Sequence, residues 1–172
     1  MNTALWILLS VIVLGGVAWL LTRKLELEHQ REILKKNMSF MESLHLTGLP
    51  IICFTSNGQR LNMVLDTGSN VCIIDSNILG GLKYKVIESD TDGIVGVGGA
   101  MGSGESVALE LNYKEMLFKV ECCVNDLTEA ASTIKQQYGV TIHGILGTEF
   151  FMDYRYVIDF NEMVAYSLKK SE

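Results

Sequence analysis

The sequence has little proline, little cysteine and no excess of positive charge. One Pro and four Cys stand among 172 residues, and no cysteines have the CxxC or Cys/His spacing of a zinc site. The formal net charge is −6, so a nucleic-acid-binding role lacks its usual electrostatic footprint. We therefore predict no disulfide scaffold, no metal ion, no organic cofactor and no nucleic-acid partner. The length allows one ordinary domain, or two only if both are small.

Hydrophobic residues make up 48% of the chain and are concentrated near its N-terminus. The segment from Ala4 to Leu21 carries no charged residue, and as a helix it would be about 27 Å long, close to the thickness of a bilayer core. Trp6 and Trp19 lie near its two ends, where indole rings favour the headgroup boundary. A cleaved secretory signal is the alternative, but no basic residue precedes the run and no small-x-small cleavage site follows it. The sequence predicts an uncleaved transmembrane anchor over residues 1–22, in contact with membrane lipid.

Basic residues follow this span, and apart from the amino terminus none precedes it. The positive-inside rule then places the N-terminus outside and the bulk of the protein in the cytoplasm. The basic residues just after the span are Arg23, Lys24, Arg31, Lys35 and Lys36.

The segment from Lys24 to Leu46 is typical of an amphipathic helix, because Leu27, Leu34 and Met41 recur every seven residues. A coiled coil would need a second apolar position in each heptad, and polar residues occupy the candidates. We predict a juxtamembrane helical stalk over residues 23–46.

From Pro50 onward the pattern changes to short apolar runs separated by Gly and Asn. An Asn57-Gly58 turn between two such runs is the strongest short-range signal for a β-hairpin. The sequence predicts one helix, over 126–138, and an all-β closed barrel or sandwich in a domain over residues 47–170. The predicted strands are 51–55, 60–66, 71–74, 84–88, 106–111, 116–124, 144–147, 156–160 and 164–168, the last two forming a closing hairpin.

An apolar strand runs directly into an acidic turn in the segment Met63–Ser69, where Asp66 is followed by Thr67 and Gly68. Hydrogen-bonding groups of the turn could hold the carboxylate, and Gly68 permits close backbone approach. Such a carboxylate could position a water for attack on a carbonyl. Activating the water and protonating the amide together needs two carboxyls sharing one proton, since two like charges about 3 Å apart cannot both ionise. The alternative is a turn that Asp66 merely caps.

Two further segments complete the pattern. Ile145 and Leu146 precede Gly147 and a short helical turn, and between the two motifs lies a glycine-rich segment, 93–104. That segment has too many glycines for a core strand and too many apolar residues for a plain linker. It lacks the Gly-Lys-Ser/Thr of a phosphate-binding loop.

This order of motifs resembles the retropepsins, the retroviral-type aspartic proteases, over roughly residues 46–168. The closing hairpin is similar to that of bacterial relatives, so the resemblance is to a bacterial, membrane-anchored, single-domain type. It implies that Asp66 is the catalytic aspartate, that Thr67 hydrogen-bonds across a subunit interface, and that Gly147 packs beneath the active-site loop. It also implies loop support from Gly68, Ser69, Ile145 and Leu146, and a substrate-binding flap that includes Gly96, Val97, Gly98 and Gly99.

The resemblance departs from the viral pattern at three points. The interval from Asp66 to Gly147 is longer than in the viral enzymes, and Ser69 stands where those enzymes commonly carry Ala. The viral dimer sheet built from both chain termini also conflicts with an N-terminal membrane anchor.

The sequence contains one Asp-Thr-Gly, so a second catalytic carboxylate must come from another molecule. We therefore predict a homodimeric, membrane-anchored aspartic endopeptidase that acts on a peptide or protein substrate through two copies of Asp66. A catalytically silent retropepsin-like module that binds extended peptides or dimerises a membrane partner is the main alternative. A β-barrel binding domain in which Asp66 only caps a turn is the third.

Overall fold

The computed structural model describes residues 13–25, 39–87, 94–96, 99–101 and 105–169. The chain divides into two compact units, Met1–Asn37 and Met38–Glu172. In the first unit, residues 13–25 are helical with exposed side chains, and the predicted span from Ala4 to Leu21 lies partly outside the described residues. Within the described ranges, no helix is both long and apolar enough to cross a membrane.

The second unit begins with a short helix, α1 (Phe40–Thr47), that starts at its own cap. Ser39 has extended backbone angles, its side chain accepts from the Glu42 N–H, and the Glu42 side chain accepts from the Ser39 N–H. This reciprocal pair is a capping box, which begins a helix. The prediction of one continuous helix over 24–46 is therefore wrong at Ser39, and residues 26–38 of it lie outside the described part.

Short strands make up most of the regular secondary structure described in the second unit, as the alternating apolar pattern predicts. Asn57 and Gly58 both have positive φ, as the tight turn between the first two strands requires. A 3₁₀ turn (Ser76–Gly81) follows the third strand. The helices and strands after α1 are β1 (Ile51–Ser56), β2 (Gln59–Leu65), β3 (Cys72–Asp75), β4 (Tyr84–Ile87), β5 (Ile94–Gly96), β6 (Gly99–Met101), β7 (Ser106–Tyr113), β8 (Met116–Asn125), α2 (Thr128–Tyr138), β9 (Gly144–Leu146), α3 (Thr148–Asp153), β10 (Tyr156–Asp159) and β11 (Val164–Ser167).

Six of the strands close on themselves in the order β1-β2-β9-β3-β8-β7, and a β1–β7 pairing at Thr55 and Asn112 completes the ring. Strand β4 adds to the outer edge of β7. Strands β10 and β11 form the predicted closing hairpin, and β5 and β6 form a separate two-stranded sheet. The prediction of an all-β closed barrel with a short helix is confirmed.

The core lies inside this ring, because alternate residues of β7 and β8 point inward. Phe118 of β8 is fully buried and packs against two other rings, Phe54 of β1 at 5.8 Å and Phe150 of α3 at 5.4 Å between centroids. Burying aromatic side chains of this size contributes strongly to the stability of such a small barrel. The aromatic contacts also fix α3 directly against the barrel interior, immediately after Gly147.

Candidate active site

Strand β9 lies between β2 and β3 and brings the two sequence motifs together. It runs parallel to β2, with Leu65 opposite Leu146, and antiparallel to β3, with Ile73 opposite Ile145. Strands β2 and β3 are joined by the turn that begins at Asp66. Because β9 enters the ladder between them, its end lies beside that turn. The Asp-Thr-Gly and Ile-Leu-Gly segments therefore share one end of the barrel.

Asp66 is half-buried at the end of β2, and two hydrogen bonds fix it. Its N–H donates to the Leu146 carbonyl at 3.0 Å, which continues the ladder by one residue past the strand. Its Oδ1 accepts from the Gly68 N–H at 2.8 Å. The carboxylate is thus held by the turn that it opens.

The turn is tied to the start of α3 by backbone hydrogen bonds. The Thr148 N–H donates to the Ser69 carbonyl at 2.8 Å, and the Glu149 N–H donates to the Asn70 carbonyl at 3.3 Å. The first N–H groups of a helix have no partner within the helix, so the turn satisfies them. The Ser69 hydroxyl is itself buried and donates to the Val71 carbonyl at 2.8 Å, which stiffens the turn from within.

Gly147 lies where no side chain fits. A Cβ atom there would be 2.7 Å from the Val71 carbonyl carbon and 2.8 Å from the Ser69 carbonyl oxygen, and closer still to the Val71 oxygen. These are backbone atoms on the opposite side of the turn. The absence of a side chain at Gly147 is therefore what allows β9 and the Asp66 turn to pack against each other.

The structure brings seven of the eleven predicted site residues together: Asp66, Thr67, Gly68 and Ser69 of the turn, and Ile145, Leu146 and Gly147 of β9 and its end. Thr67 and Gly68 are exposed on the turn. The flap residues Gly96 and Gly99 pair with each other at the end of the β5–β6 hairpin. Val97 and Gly98, at the predicted flap tip, lie outside the described residues.

The described acidic residues around this turn do not form a metal site. In the described ranges, no group of three or more His, Cys, Asp or Glu side chains is placed to hold a metal ion. Glu149, in the first turn of α3, has its pKa raised by burial and by the negative charges of Asp153 and Glu121.

Two groups near the site, the buried Cys72 and the half-buried His143, were not among the predicted site residues; for His143 the sequence favours a structural or surface role. Cys72, three residues after Ser69, lies against the N–H groups of Gly147 and Phe150. His143 lies just before β9. Its imidazole Nδ1 accepts from the Asn62 backbone N–H at 2.9 Å, and its backbone N–H donates to the Asn62 carbonyl at 2.9 Å. Only the pairing of β9 between β2 and β3, a long-range feature, could have placed them there.

His143 should make the protein less stable in mild acid. Burial lowers the pKa of His143, partly opposed by the nearby charge of Asp75. Below about pH 6.5 the imidazole binds a proton in the unfolded chain but not in the folded protein. The free energy of unfolding therefore falls as the pH drops through that value. The His143→Gln variant keeps a hydrogen-bond acceptor at this position. Between pH 7.5 and pH 5.5, its Tm in thermal unfolding should fall by less than the Tm of the wild type. Equal losses would contradict this role for His143.

Comparison with known proteins gives a family match that covers the site. A family model described as Aspartyl protease matches residues 52–150. No curated protein sequence matches the chain. Among solved structures, the chain is similar to the EIAV protease complexed with the inhibitor HBY-793, with 25% identity, a TM-score of 0.44, and coverage of 61% of this chain and 86% of that one.

Two other solved structures match this chain at lower identity. The retroviral protease-like domain of Ddi1 from Leishmania major is 13% identical with a TM-score of 0.48, covering 71% of this chain and 90% of that one. A retropepsin-like aspartic protease from Rickettsia conorii is 18% identical with a TM-score of 0.35, covering 65% and 77%. The family match includes both the Asp66 turn and the Ile-Leu-Gly segment, and it spans more than half of the sequence. The chain belongs to the aspartyl protease family.

Proposed function

We propose that this protein is a retropepsin-like aspartic endopeptidase that cleaves peptide bonds with two copies of Asp66, one from each subunit of a homodimer. The observation that carries the proposal is the position of Asp66. It is half-buried at a strand end, and its Oδ1 is held at 2.8 Å by the Gly68 N–H in a turn that packs on Gly147. A catalytic carboxyl must be held in this way, because a small displacement of the reacting group lowers the rate strongly.

The chemistry follows from two carboxyls that share one proton. The ionised carboxyl takes a proton from a water molecule as that water attacks the scissile carbonyl carbon. The protonated carboxyl gives its proton to the carbonyl oxygen, which produces a tetrahedral gem-diol. The carboxyl that took the water's proton then gives it to the amide nitrogen, the other carboxyl takes a proton from a gem-diol hydroxyl, and the carbon–nitrogen bond breaks to leave an amine and a carboxylic acid. No covalent bond to the enzyme forms at any step.

A second copy of the chain is needed because this sequence holds a single Asp-Thr-Gly. A two-fold axis beside the turn would place two Asp66 carboxyls face to face. Thr67 and Gly68 support such a contact, since both are exposed on the turn beside Asp66. The Thr67 hydroxyl makes no hydrogen bond to any other residue that the structure describes, which leaves it available to a partner subunit.

The β5–β6 hairpin would serve as the flap that closes over the substrate. Its strands pair from Ile94 opposite Met101 to Gly96 opposite Gly99, so a two-residue tip connects them. A glycine-rich hairpin can change its backbone angles at low steric cost. Closure over an extended peptide would exclude water from the two carboxyls and strengthen their hydrogen bonds to the substrate.

A catalytically silent module is the second candidate, and one specific contact favours it. The Gly68 N–H bond to Asp66 Oδ1 is also what a carboxylate makes when it merely caps a turn. The two candidates differ in one experiment. Full-length protein is incubated with a mixed peptide library, and the products are identified by mass spectrometry. An endopeptidase gives new termini that the Asp66→Asn variant does not produce, whereas a silent module gives none.

We further propose that residues 1–22 anchor the protein in a membrane with the β domain in the cytoplasm. The apolar run from Ala4 to Leu21 and the basic residues that follow it support this orientation. A reporter fused after Glu172 should be active if it is green fluorescent protein, which folds in the cytoplasm, and inactive if it is alkaline phosphatase. Alkaline phosphatase activity in the intact cell would overturn the orientation.

A further inference from the structure

Two buried cysteines face each other directly beneath the candidate catalytic turn. Cys72 of β3 and Cys122 of β8 are register partners in a parallel ladder. Both are 1% exposed, and both belong to the core inside the barrel. Their side chains therefore leave neighbouring strands on the same face, and each thiol shifts the pKa of the other.

The backbone geometry of this pair permits a disulfide. Neighbouring strands lie about 4.8 Å apart in a sheet, and a disulfide accepts Cα separations of roughly 4.4 to 6.8 Å. The other two described cysteines are placed differently. Cys123 points to the outside of the barrel, where it contacts Ser106, and Cys53 lies on β1. Neither is the register partner of another cysteine.

The two thiols are chemically unequal. The hydrogen bond from Cys122 lowers the pKa of Cys72, burial opposes this, and the N–H groups of Gly147 and Phe150 lower it further. The hydrogen bond to Cys72 raises the pKa of Cys122, and burial adds to the effect. The thiolate is the reactive form of cysteine. Cys72 lies three residues after Ser69, next to the exposed turn, so it is the sulfur that an oxidant would meet first, and Cys122 is the sulfur that would resolve the product.

We infer that Cys72 and Cys122 form a redox-active dithiol, a modification site that hydrogen peroxide converts into a disulfide. The Cys72 thiolate attacks one peroxide oxygen, the O–O bond breaks, and Cys72 becomes a sulfenic acid while hydroxide leaves. The Cys122 sulfur then attacks the Cys72 sulfur, the S–O bond breaks, and the Cys122 proton leaves with the oxygen as water. Two thiols lose two electrons, and the peroxide is reduced to two waters.

Access to Cys72 comes from its position in the chain. It lies three residues after Ser69, at the base of the exposed turn, so local opening of that turn brings a water-sized oxidant to the sulfur. Closing the disulfide brings the two sulfurs to about 2.05 Å, a bond length rather than a contact. The Cys72 sulfur would then move away from the Gly147 and Phe150 N–H groups. Oxidation would therefore loosen the segment that holds the Asp66 turn.

The test is thiol mapping of the folded, full-length protein after treatment with hydrogen peroxide. Non-reducing peptide mapping should show one Cys72–Cys122 linked peptide, which dithiothreitol removes. Hydrogen exchange at the Gly147 and Phe150 amides should become roughly tenfold faster on oxidation and recover on reduction. Cys123→Ser is the matched control and should still form the link. Intact thiols at Cys72 and Cys122 while Cys53 is oxidised would overturn the proposal.

A second measurement assigns the order of the two sulfurs. In Cys122→Ser the sulfenic acid at Cys72 has no resolving thiol, so the sulfenic-acid probe dimedone should label Cys72 after peroxide treatment. In Cys72→Ser, Cys122 should remain unlabelled. Labelling of Cys122 instead would overturn the assignment. If either variant fails to fold, the mapping of the wild type still decides whether the link forms. All of these measurements follow sulfur chemistry and are independent of peptidase activity.

Discussion

Asp66→Asn should lower kcat/KM for peptide cleavage by at least about a hundredfold, since general acid–base groups typically contribute 10²–10⁴-fold. In a homodimer the substitution removes both carboxyls at once, so neither the base nor the acid remains. Stability should hardly change. An Asn Oδ1 can accept the Gly68 N–H that Asp66 now accepts at 2.8 Å, so the turn keeps its hydrogen bond.

The control for this substitution is Asp153→Asn, which removes a negative charge from an exposed site on α3. It should leave cleavage within about twofold of the wild type, because surface substitutions of this kind rarely change a structure. Both proteins are compared by Tm and by the rate on one library-derived peptide. An Asp66→Asn protein that keeps more than a hundredth of the wild-type rate would mean that Asp66 only caps its turn.

Gly147→Ala should destabilise the protein by about 3 kcal/mol, as overpacking against a rigid neighbour does, and lower its Tm by roughly 10 °C. The backbone at Gly147 has φ −89°, which alanine adopts freely, so the cost is steric. The new Cβ would meet the carbonyl groups of Val71 and Ser69. Because both lie in the backbone of the turn, relief requires the turn to move, and cleavage should fall with it.

Gly80→Ala is the matched glycine control. A Cβ atom at Gly80 meets nothing within 4 Å, so the substitution adds no clash. It should be neutral or slightly stabilising, because alanine lowers the conformational entropy of the unfolded chain. Thermal unfolding of both variants beside the wild type measures the difference. If Gly147→Ala unfolds within two degrees of Gly80→Ala, the close contact between β9 and the turn does not hold the site.

Much of this fold could be predicted from local signals. The Asn57-Gly58 turn fixes the first hairpin, since both residues adopt positive φ. The predicted helix over 126–138 is present as Thr128–Tyr138. The break at Ser39 also had a local signal, because Ser39 and Glu42 have the spacing of a capping box. The seven-residue apolar repeat continues across this cap, and the repeat therefore favoured one continuous helix.

The candidate site depends on pairings that no local pattern encodes. Strand β9 enters between β2 and β3 from about eighty residues away in sequence, and a strand of three residues carries too little periodicity to specify a partner. The order of the motifs indicated that the two segments lie close together only through the resemblance to a family. Cys72 and Cys122 were visible as cysteines, but their contact depends on the β3–β8 register.

The most direct measurement of the central claim is a subunit-mixing assay with solubilised full-length protein. Wild-type chain is held at one concentration, Asp66→Asn chain is added in increasing amounts, and subunits are allowed to exchange before cleavage is measured. If two chains build one site, activity per wild-type chain should fall to about half at equal amounts and about one fifth at fourfold excess, as random C2 pairing requires. Activity that stays constant across the titration would show that one chain carries a complete site, and would contradict the dimeric dyad.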